Sequence, residues 1–203
     1  MSARWERQVA DIGELLAWLT FERRPTLGST RLVCVDGRAG SGKTTLGHAL
    51  HAAAAELGSA TLLHMDDMYE GWSGLGPDLG ARIAANLMEP LRADRPGRYQ
   101  RYDWVREQFA EWHTVDPVDT LVLEGVGAGA SAYDDAITTL VWVEAPRELR
   151  VARGLARDGE EVLPKWLAWM HDEDVLFARE RTRQRATVVV DGTGEADRTL
   201  VFE

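Results

Sequence analysis

The residues Leu32-Val33-Cys34-Val35-Asp36 and, directly after them, Gly37-Arg38-Ala39-Gly40-Ser41-Gly42-Lys43-Thr44 decide how this chain is read. The second group matches G-x-x-x-x-G-K-[ST], a pattern in which the backbone curls so that successive amide N–H groups converge on phosphate oxygens. Gly37, Gly40 and Gly42 permit the curl, and Arg38, Ala39 and Ser41 carry the loop between them. Lys43 offers a compact positive charge to the β and γ phosphates, and the Thr44 hydroxyl is a hard oxygen ligand suited to Mg²⁺. Thr45 closes the candidate nucleotide-contacting stretch, on a helix whose positive N-terminal end faces the same anion. The apolar run before the loop reads as a strand, and residues 44–56, ended by Gly58, read as a helix. Strand, loop and helix in that order are the context the motif requires. ATP and Mg²⁺ are therefore the expected cofactors.

Outward from the loop, four more short apolar runs read as strands, at residues 61–65, 121–123, 140–143 and 188–190. They are continuous rather than alternating, which suits a sheet buried on both faces. Helical patterns separate them at 79–92, 147–157 and 165–184, and Val9, Ile12, Leu15, Leu16 and Leu19 mark an amphipathic helix over 8–20 ahead of the first strand. Strands alternating with helices predict an α/β fold with a mostly parallel sheet. The stretch 66–119 is longer than one crossover needs and is expected to carry acceptor-binding structure. The 203 residues are expected to form one domain.

Composition narrows the function further. Against 33 Asp plus Glu stand 23 Lys plus Arg, a net charge of −10 that disfavours non-specific nucleic-acid binding. Lys43 and Lys165 are the only lysines, so the one in the phosphate loop is a rare residue in this chain. The single cysteine, Cys34, excludes an intrachain disulfide, and no Cys/His spacing resembles a zinc site. Acidic residues interrupt the apolar N-terminal segment and no run approaches membrane-span length, so a cytoplasmic protein without membrane partners is expected. The only asparagine, Asn86, precedes Leu87, which leaves no Asn-Lys-x-Asp element of the kind guanine-specific GTPases use.

Three further groups fit phosphoryl transfer. Asp66 and Asp67 follow the second strand, at the carboxyl end where ligands of open α/β sheets collect, and a carboxylate there could accept the proton of an acceptor hydroxyl; capping a turn is the alternative use. Glu124 ends the third strand in Leu-Val-Leu-Glu-Gly and is placed to hold Mg²⁺. Arg147, Arg150, Arg153 and Arg157 follow one another at steps of three, three and four, on one helical face. At least one of them, Arg153 or Arg157 foremost, is expected to act from a lid over about 147–163, although such a row can equally be a solvated face. His48 and His51 read as surface or packing residues, His171-Asp172-Glu173-Asp174 as a solvated acidic segment, and Trp166 and Trp169 as packing residues rather than a stacking platform.

Four segments together, the Val35–Thr44 loop, His64-Met65-Asp66-Asp67-Met68-Tyr69, Tyr102-Asp103-Trp104 and Leu123-Glu124-Gly125-Val126, resemble the uridine kinase and phosphoribulokinase branch of P-loop kinases over about residues 31–191. The resemblance implies a nucleoside-kinase-like P-loop fold, with a five-stranded sheet, helices on both faces and an Arg-rich lid. It implies that Asp66 is the catalytic base and also lies at the metal, that Glu124 coordinates Mg²⁺, and that Tyr69 touches the acceptor. Tyr102, Asp103 and Trp104 could line an acceptor pocket, the alternative being a core aromatic pair with a turn Asp, and Trp72 sits on a neighbouring Gly-rich loop with Asp78 as a hydroxyl ligand. One departure is plain: uridine kinases place a histidine for the pyrimidine base close behind the Tyr-Asp-Phe element, whereas the first histidine after Tyr102 is His113. The expected activity is transfer of the γ-phosphoryl group of ATP to a hydroxyl of a small metabolite, a nucleoside or sugar-like compound. An ATP-binding regulator, or a phosphotransferase of toxin or antibiotic type, would use the same loop.

Overall fold

The computed structural model describes the backbone of residues 2–194 and 200–202, and side chains over 11–194. Among these, the order is helix α1 (Ser2–Phe21), strand β1 (Arg31–Asp36), α2 (Lys43–Leu57), β2 (Ala60–His64), α3 (Asp78–Ile83), α4 (Glu89–Arg92), β3 (Gly97–Asp103), β4 (Gln108–Val115), β5 (Thr120–Glu124), β6 (Ile137–Glu144), α5 (Arg147–Asp158), α6 (Leu163–Glu180), α7 (Thr182–Arg185), β7 (Val188–Asp191) and β8 (Leu200–Phe202). The five strands expected from the sequence are β1, β2, β5, β6 and β7, and they lie parallel in the order β2-β5-β1-β6-β7. β8, an apolar run that was not among the expected strands, adds to the β7 edge antiparallel.

The continuous apolar strands have the physical cause inferred for them. Leu32 and Cys34 of β1 point into one core cluster while Val33 and Val35 point into another. β5 divides in the same way, with Leu121 and Leu123 on one face and Val122 on the other, and β6 likewise sends Leu140 and Trp142 one way and Val141 and Val143 the other. Ile12 and Leu16 of α1 and Leu46 and Leu50 of α2 cover the second face. Gly13 brings α1 close to α2, since a Cβ there would come within 2.8 Å of Ala49. The side chain of Val9, assigned to the same stripe, lies outside the described residues. Cys34 is fully buried at the centre of the sheet.

Two helical readings need adjustment. The segment read as 79–92 is continuous from Asp78 to Arg92, with a π-helical stretch, Ala84–Met88, between α3 and α4. The helix read as 165–184 stops at Glu180, because Arg181 takes a left-handed conformation (φ 51°), and one further turn, α7, follows. The long middle stretch also contains an antiparallel ribbon, β3 with β4. Among the described residues no helix is long and apolar enough to cross a membrane.

Register sets up the site. Glu124 lies opposite Val35 on one side and His64 on the other, so the carboxyl ends of β1, β5 and β2 bring Asp36, Glu124 and His64 to one edge of the sheet. The segment carrying Asp66 leaves from the same edge, as a short 3₁₀ turn (Met65–Asp67).

Candidate active site

The phosphate loop is held from below and from both sides. Asp36, fully buried, accepts hydrogen bonds from the amides of Gly37 (2.7 Å), Gly127 (2.9 Å) and Gly129 (2.9 Å), tying the start of the loop to the segment after β5. Burial outweighs these three donors and pushes the Asp36 carboxyl up to about 6. Lys43 is buried and its Nζ donates to the Arg38 carbonyl at 2.9 Å, which folds the side chain back over the loop. The arch at Gly40 has φ 78° and passes so close to α5 that a Cβ would sit 2.5 Å from the Arg150 carbonyl oxygen, so only glycine fits there.

The arginine row on α5 divides by position. Arg147 is exposed. Arg150 is buried, and donates to the carbonyls of Ala39 (3.2 Å) and Ala145 (3.1 Å), so it braces the loop from behind and does not belong to a solvated face. Arg153 donates to the carbonyls of Gly40 (3.3 Å) and Gly192 (2.8 Å) and also lines the cleft. Arg157 is exposed to the cleft and pairs with Asp158 through two hydrogen bonds of 2.7 and 2.8 Å, which raises its pKa. Of the four, Arg157 has the freest guanidinium facing the cleft, and its charge reaches Asp66 and Glu124.

Glu173 corrects the reading of residues 171–174 as a solvated acidic segment. His171 and Asp174 are exposed, but Glu173 is wholly buried, and its Oε1 accepts from the Ala39 amide of the loop (2.6 Å) and from Trp169 Nε1 (3.1 Å). Its Oε2 has no hydrogen-bond partner among the described residues and lies 3.7 Å from Arg150 Nη1 and 3.9 Å from Arg38 Nη1. Burial pushes this carboxyl up. Arg38 is further held by Asp174 at 2.5 Å. Helical spacing already put Trp169 and Glu173 on one face of α6, four residues apart. That spacing was the available signal for a buried acid, and the run of polar neighbours masked it.

A cleft of about 520 Å³ opens over the loop. Ala39, Gly40 and the stretch from Gly42 to Thr45 line one side of it, while Ser41 lies buried beneath. At its floor the Thr44 hydroxyl donates to Glu124, 3.2 Å from Oε1 and 3.3 Å from Oε2, and His64 Nδ1 donates to Glu124 Oε1 at 2.5 Å. This bond is the chief reason the His64 pKa is raised. Sequence reading gave His64 no role; its position two residues before Asp66, at the end of a strand, was the available sign. A hydroxyl and one carboxylate form a sparse oxygen set, and no group of three or more metal-ligating side chains occurs among the described residues. That donor set fits Mg²⁺, which dehydrates reluctantly and is usually held by one or two protein oxygens together with nucleotide phosphates.

Asp66 opens on the same cleft. Enclosure by the protein raises its carboxyl above the usual range and the Glu124 charge adds to the rise, against the pull of Lys43, Arg157 and His64. Tyr69 also lines the cleft, but its hydroxyl donates to the Val126 carbonyl at 2.8 Å, so the ring and not the hydroxyl is presented. Tyr102, Asp103 and Asp78 are not among the residues lining it. Tyr102 packs between Trp104 and Phe109, Asp103 accepts from the amides of Val105 and Arg106 in the turn between β3 and β4, and Asp78 is exposed at the start of α3. Four tryptophans line the cleft: Trp72 and Trp104, both expected on the acceptor side, and Trp166 and Trp169. Trp166 and Trp169 are indeed buried packing residues, and they reach the cavity as well.

No protein-family model matches the chain. It is 30% identical to the uridine kinase of Brevibacillus brevis, over 83% of its own length and 87% of that protein's. Among solved structures it superposes with TM-score 0.65 on a Bacillus stearothermophilus protein solved as a possible uridine kinase, at 21% identity, covering 90% of this chain and 97% of that one. It superposes with TM-score 0.55 on D-glycerate 3-kinase from Cryptococcus neoformans, at 13% identity, over 98% and 99% of the two chains. These structural likenesses show a shared fold.

Proposed function

The chain belongs to the uridine kinase branch of P-loop kinases, and from that premise we propose that it transfers the γ-phosphoryl group of ATP to a hydroxyl of a small metabolite. One observation carries the reading: the phosphate loop, the Thr44–Glu124 pair and the Asp66 carboxylate open on a single cleft. In this reading the amides from Gly40 to Thr45 and the Lys43 ammonium hold the triphosphate. Thr44 and Glu124 hold Mg²⁺, whose contribution is to neutralise phosphate charge. Asp66 orients the acceptor hydroxyl and takes its proton, for which a carboxyl raised above its usual range is suited. Arg157, at the cleft mouth, is placed to meet charge on the transferred group, with Arg153 anchoring the loop beside it.

The test is ADP release by wild type and Asp66→Asn with a panel of hydroxylated metabolites. Asp66→Asn is expected to lose roughly 10²–10⁴-fold in acceptor-dependent turnover with MgATP affinity nearly unchanged. Acceptor-dependent turnover equal to wild type would remove Asp66 as the base. ATP binding without stimulation by any acceptor would favour a regulator over a kinase.

A further inference from the structure

The side of the cleft next to Asp66 is an aromatic wall in which the polar groups of Tyr69, Trp104, Trp166 and Trp169 are already engaged. Trp104 meets Trp72 edge to face (5.8 Å between centroids), Trp72 meets Trp169 (6.1 Å), and Trp169 meets Tyr69 (5.0 Å), so the rings run without a break from the Asp66 segment to α6. Trp104 Nε1 donates to the Asp66 carbonyl (2.9 Å), Trp166 Nε1 to Asp158 (2.9 Å), Trp169 Nε1 to Glu173 (3.1 Å) and the Tyr69 hydroxyl to the Val126 carbonyl (2.8 Å). What these four side chains offer a ligand is therefore ring surface. Of the charged groups in the same cleft, Arg157 is paired with Asp158, Arg153 donates to the carbonyls of Gly40 and Gly192, Lys43 and Glu124 belong to the nucleotide end, and Asp66 faces the reacting hydroxyl.

An acceptor rich in hydroxyl or carbonyl groups would find few partners along this wall, and hydrogen bonds lost on desolvation are selected against more strongly than lost apolar contact. A planar ring finds edge-to-face and stacked partners there. An ammonium compound would suit an aromatic cage, but Lys165 Nζ already lies over the Trp72 ring at 5.9 Å and would repel it. Resting on the kinase reading of this cleft, the geometry points to an acceptor that is a primary alcohol carried on an aromatic or heteroaromatic ring with few other hydrogen-bonding substituents. In the reaction its oxygen forms a bond to Pγ, the bond from Pγ to the β–γ bridging oxygen breaks, and the hydroxyl proton passes to Asp66. The products are a phosphate monoester and ADP.

Steady-state ADP release with MgATP is measured for hydroxymethylpyridine, benzyl alcohol, uridine, D-glycerate and choline, each product being confirmed by phosphorus NMR. The expected result is a kcat/KM for an aromatic alcohol at least about tenfold above those of uridine, glycerate and choline. Trp72→Leu should raise KM for that alcohol roughly tenfold, and Trp72→Phe should recover most of the loss. Preference for uridine, glycerate or choline would overturn the acceptor class and leave the kinase reading standing, and so would a Trp72→Leu enzyme with unchanged KM. Calorimetric binding of MgATP without stimulation by any of the five would overturn both.

Discussion

Substitution at Glu173 tests how the phosphate loop is braced. Glu173→Ala removes the acceptor of two donors, the Ala39 amide and Trp169 Nε1, inside a region with no solvent to replace it. Two unsatisfied buried donors at about 1–3 kcal/mol each give a loss of roughly 2–6 kcal/mol. For a chain of this length that corresponds to a fall in Tm of roughly 5–20 °C. Glu173→Gln keeps an amide oxygen for the Ala39 N–H and removes the charge. Because burial raises the Glu173 carboxyl, the native state disfavours its ionised form relative to the unfolded chain. The sign follows: the folded state holds the proton to higher pH, so wild-type stability from this group falls as pH rises from the ordinary carboxylate range through the raised value, while the amide has no such slope. Above that window Glu173→Gln should be much more stable than Glu173→Ala and within about 1 kcal/mol of wild type. Thermal unfolding of the three proteins without nucleotide, from pH 5 to 8.5, is the assay. A glutamine variant as unstable as the alanine one at pH 8 would refute the reasoning, since the charge facing Arg38 and Arg150, and not the hydrogen bonds, would then be what holds the loop.

Asp36, with its carboxyl raised to about 6 from an ordinary 3.8, gives the same sign with a larger span: about two pKa units, on the order of 3 kcal/mol, should be lost from stability as pH rises from 4 to 7. Denaturant midpoints across that range check it, with Asp36→Asn expected to flatten the slope while lowering stability, because an amide nitrogen replaces an acceptor of the Gly127 or Gly129 N–H. Gly154→Ala should cost about 1–3 kcal/mol by overpacking, since a Cβ there overlaps the Trp166 ring; calorimetric unfolding measures it, and a neutral effect would mean that α5 moves away from α6 at little cost. Chelation of Mg²⁺ should abolish acceptor-dependent ADP release, and Glu124→Gln should raise the Mg²⁺ concentration needed for half activity; a variant with unchanged demand would remove Glu124 as a metal-holding group.

The parallel sheet was legible because a strand covered on both faces needs apolar residues at every position, and Leu32 to Val35 has them. The nucleotide end was legible because a phosphate cradle constrains backbone shape, and glycine spacing records that shape directly. The acceptor end was harder to read. The β3–β4 ribbon mixes charged, polar and aromatic residues with no period of two, around a Trp104–Glu107 turn with no Asn-Gly or Asp-Gly pair, so neither a core run nor a hairpin signal marked it. Tyr102 and Asp103 sit in a motif that suggested substrate contact, yet ring packing and turn amides engage them. Glu173 shows the same limit from the other direction, since composition places an acid among acids at the surface and only its pairing with Trp169 across a helical turn places it inside.

Cys34 gives the fold a built-in chemical clock. It is the only thiol in the chain and sits at full burial in the middle strand, with burial holding its pKa well above the usual value. A thiol-modifying reagent reaches it only when the layer packed on its face parts from the sheet, so the labelling rate counts core openings and not surface motion. Any ligand that binds the closed form slows that count by the factor 1 + [L]/Kd. Nucleotide affinity, and the affinity of each alcohol offered with it, can thus be timed at a single sulfur atom that contacts neither, with no substitution in the protein.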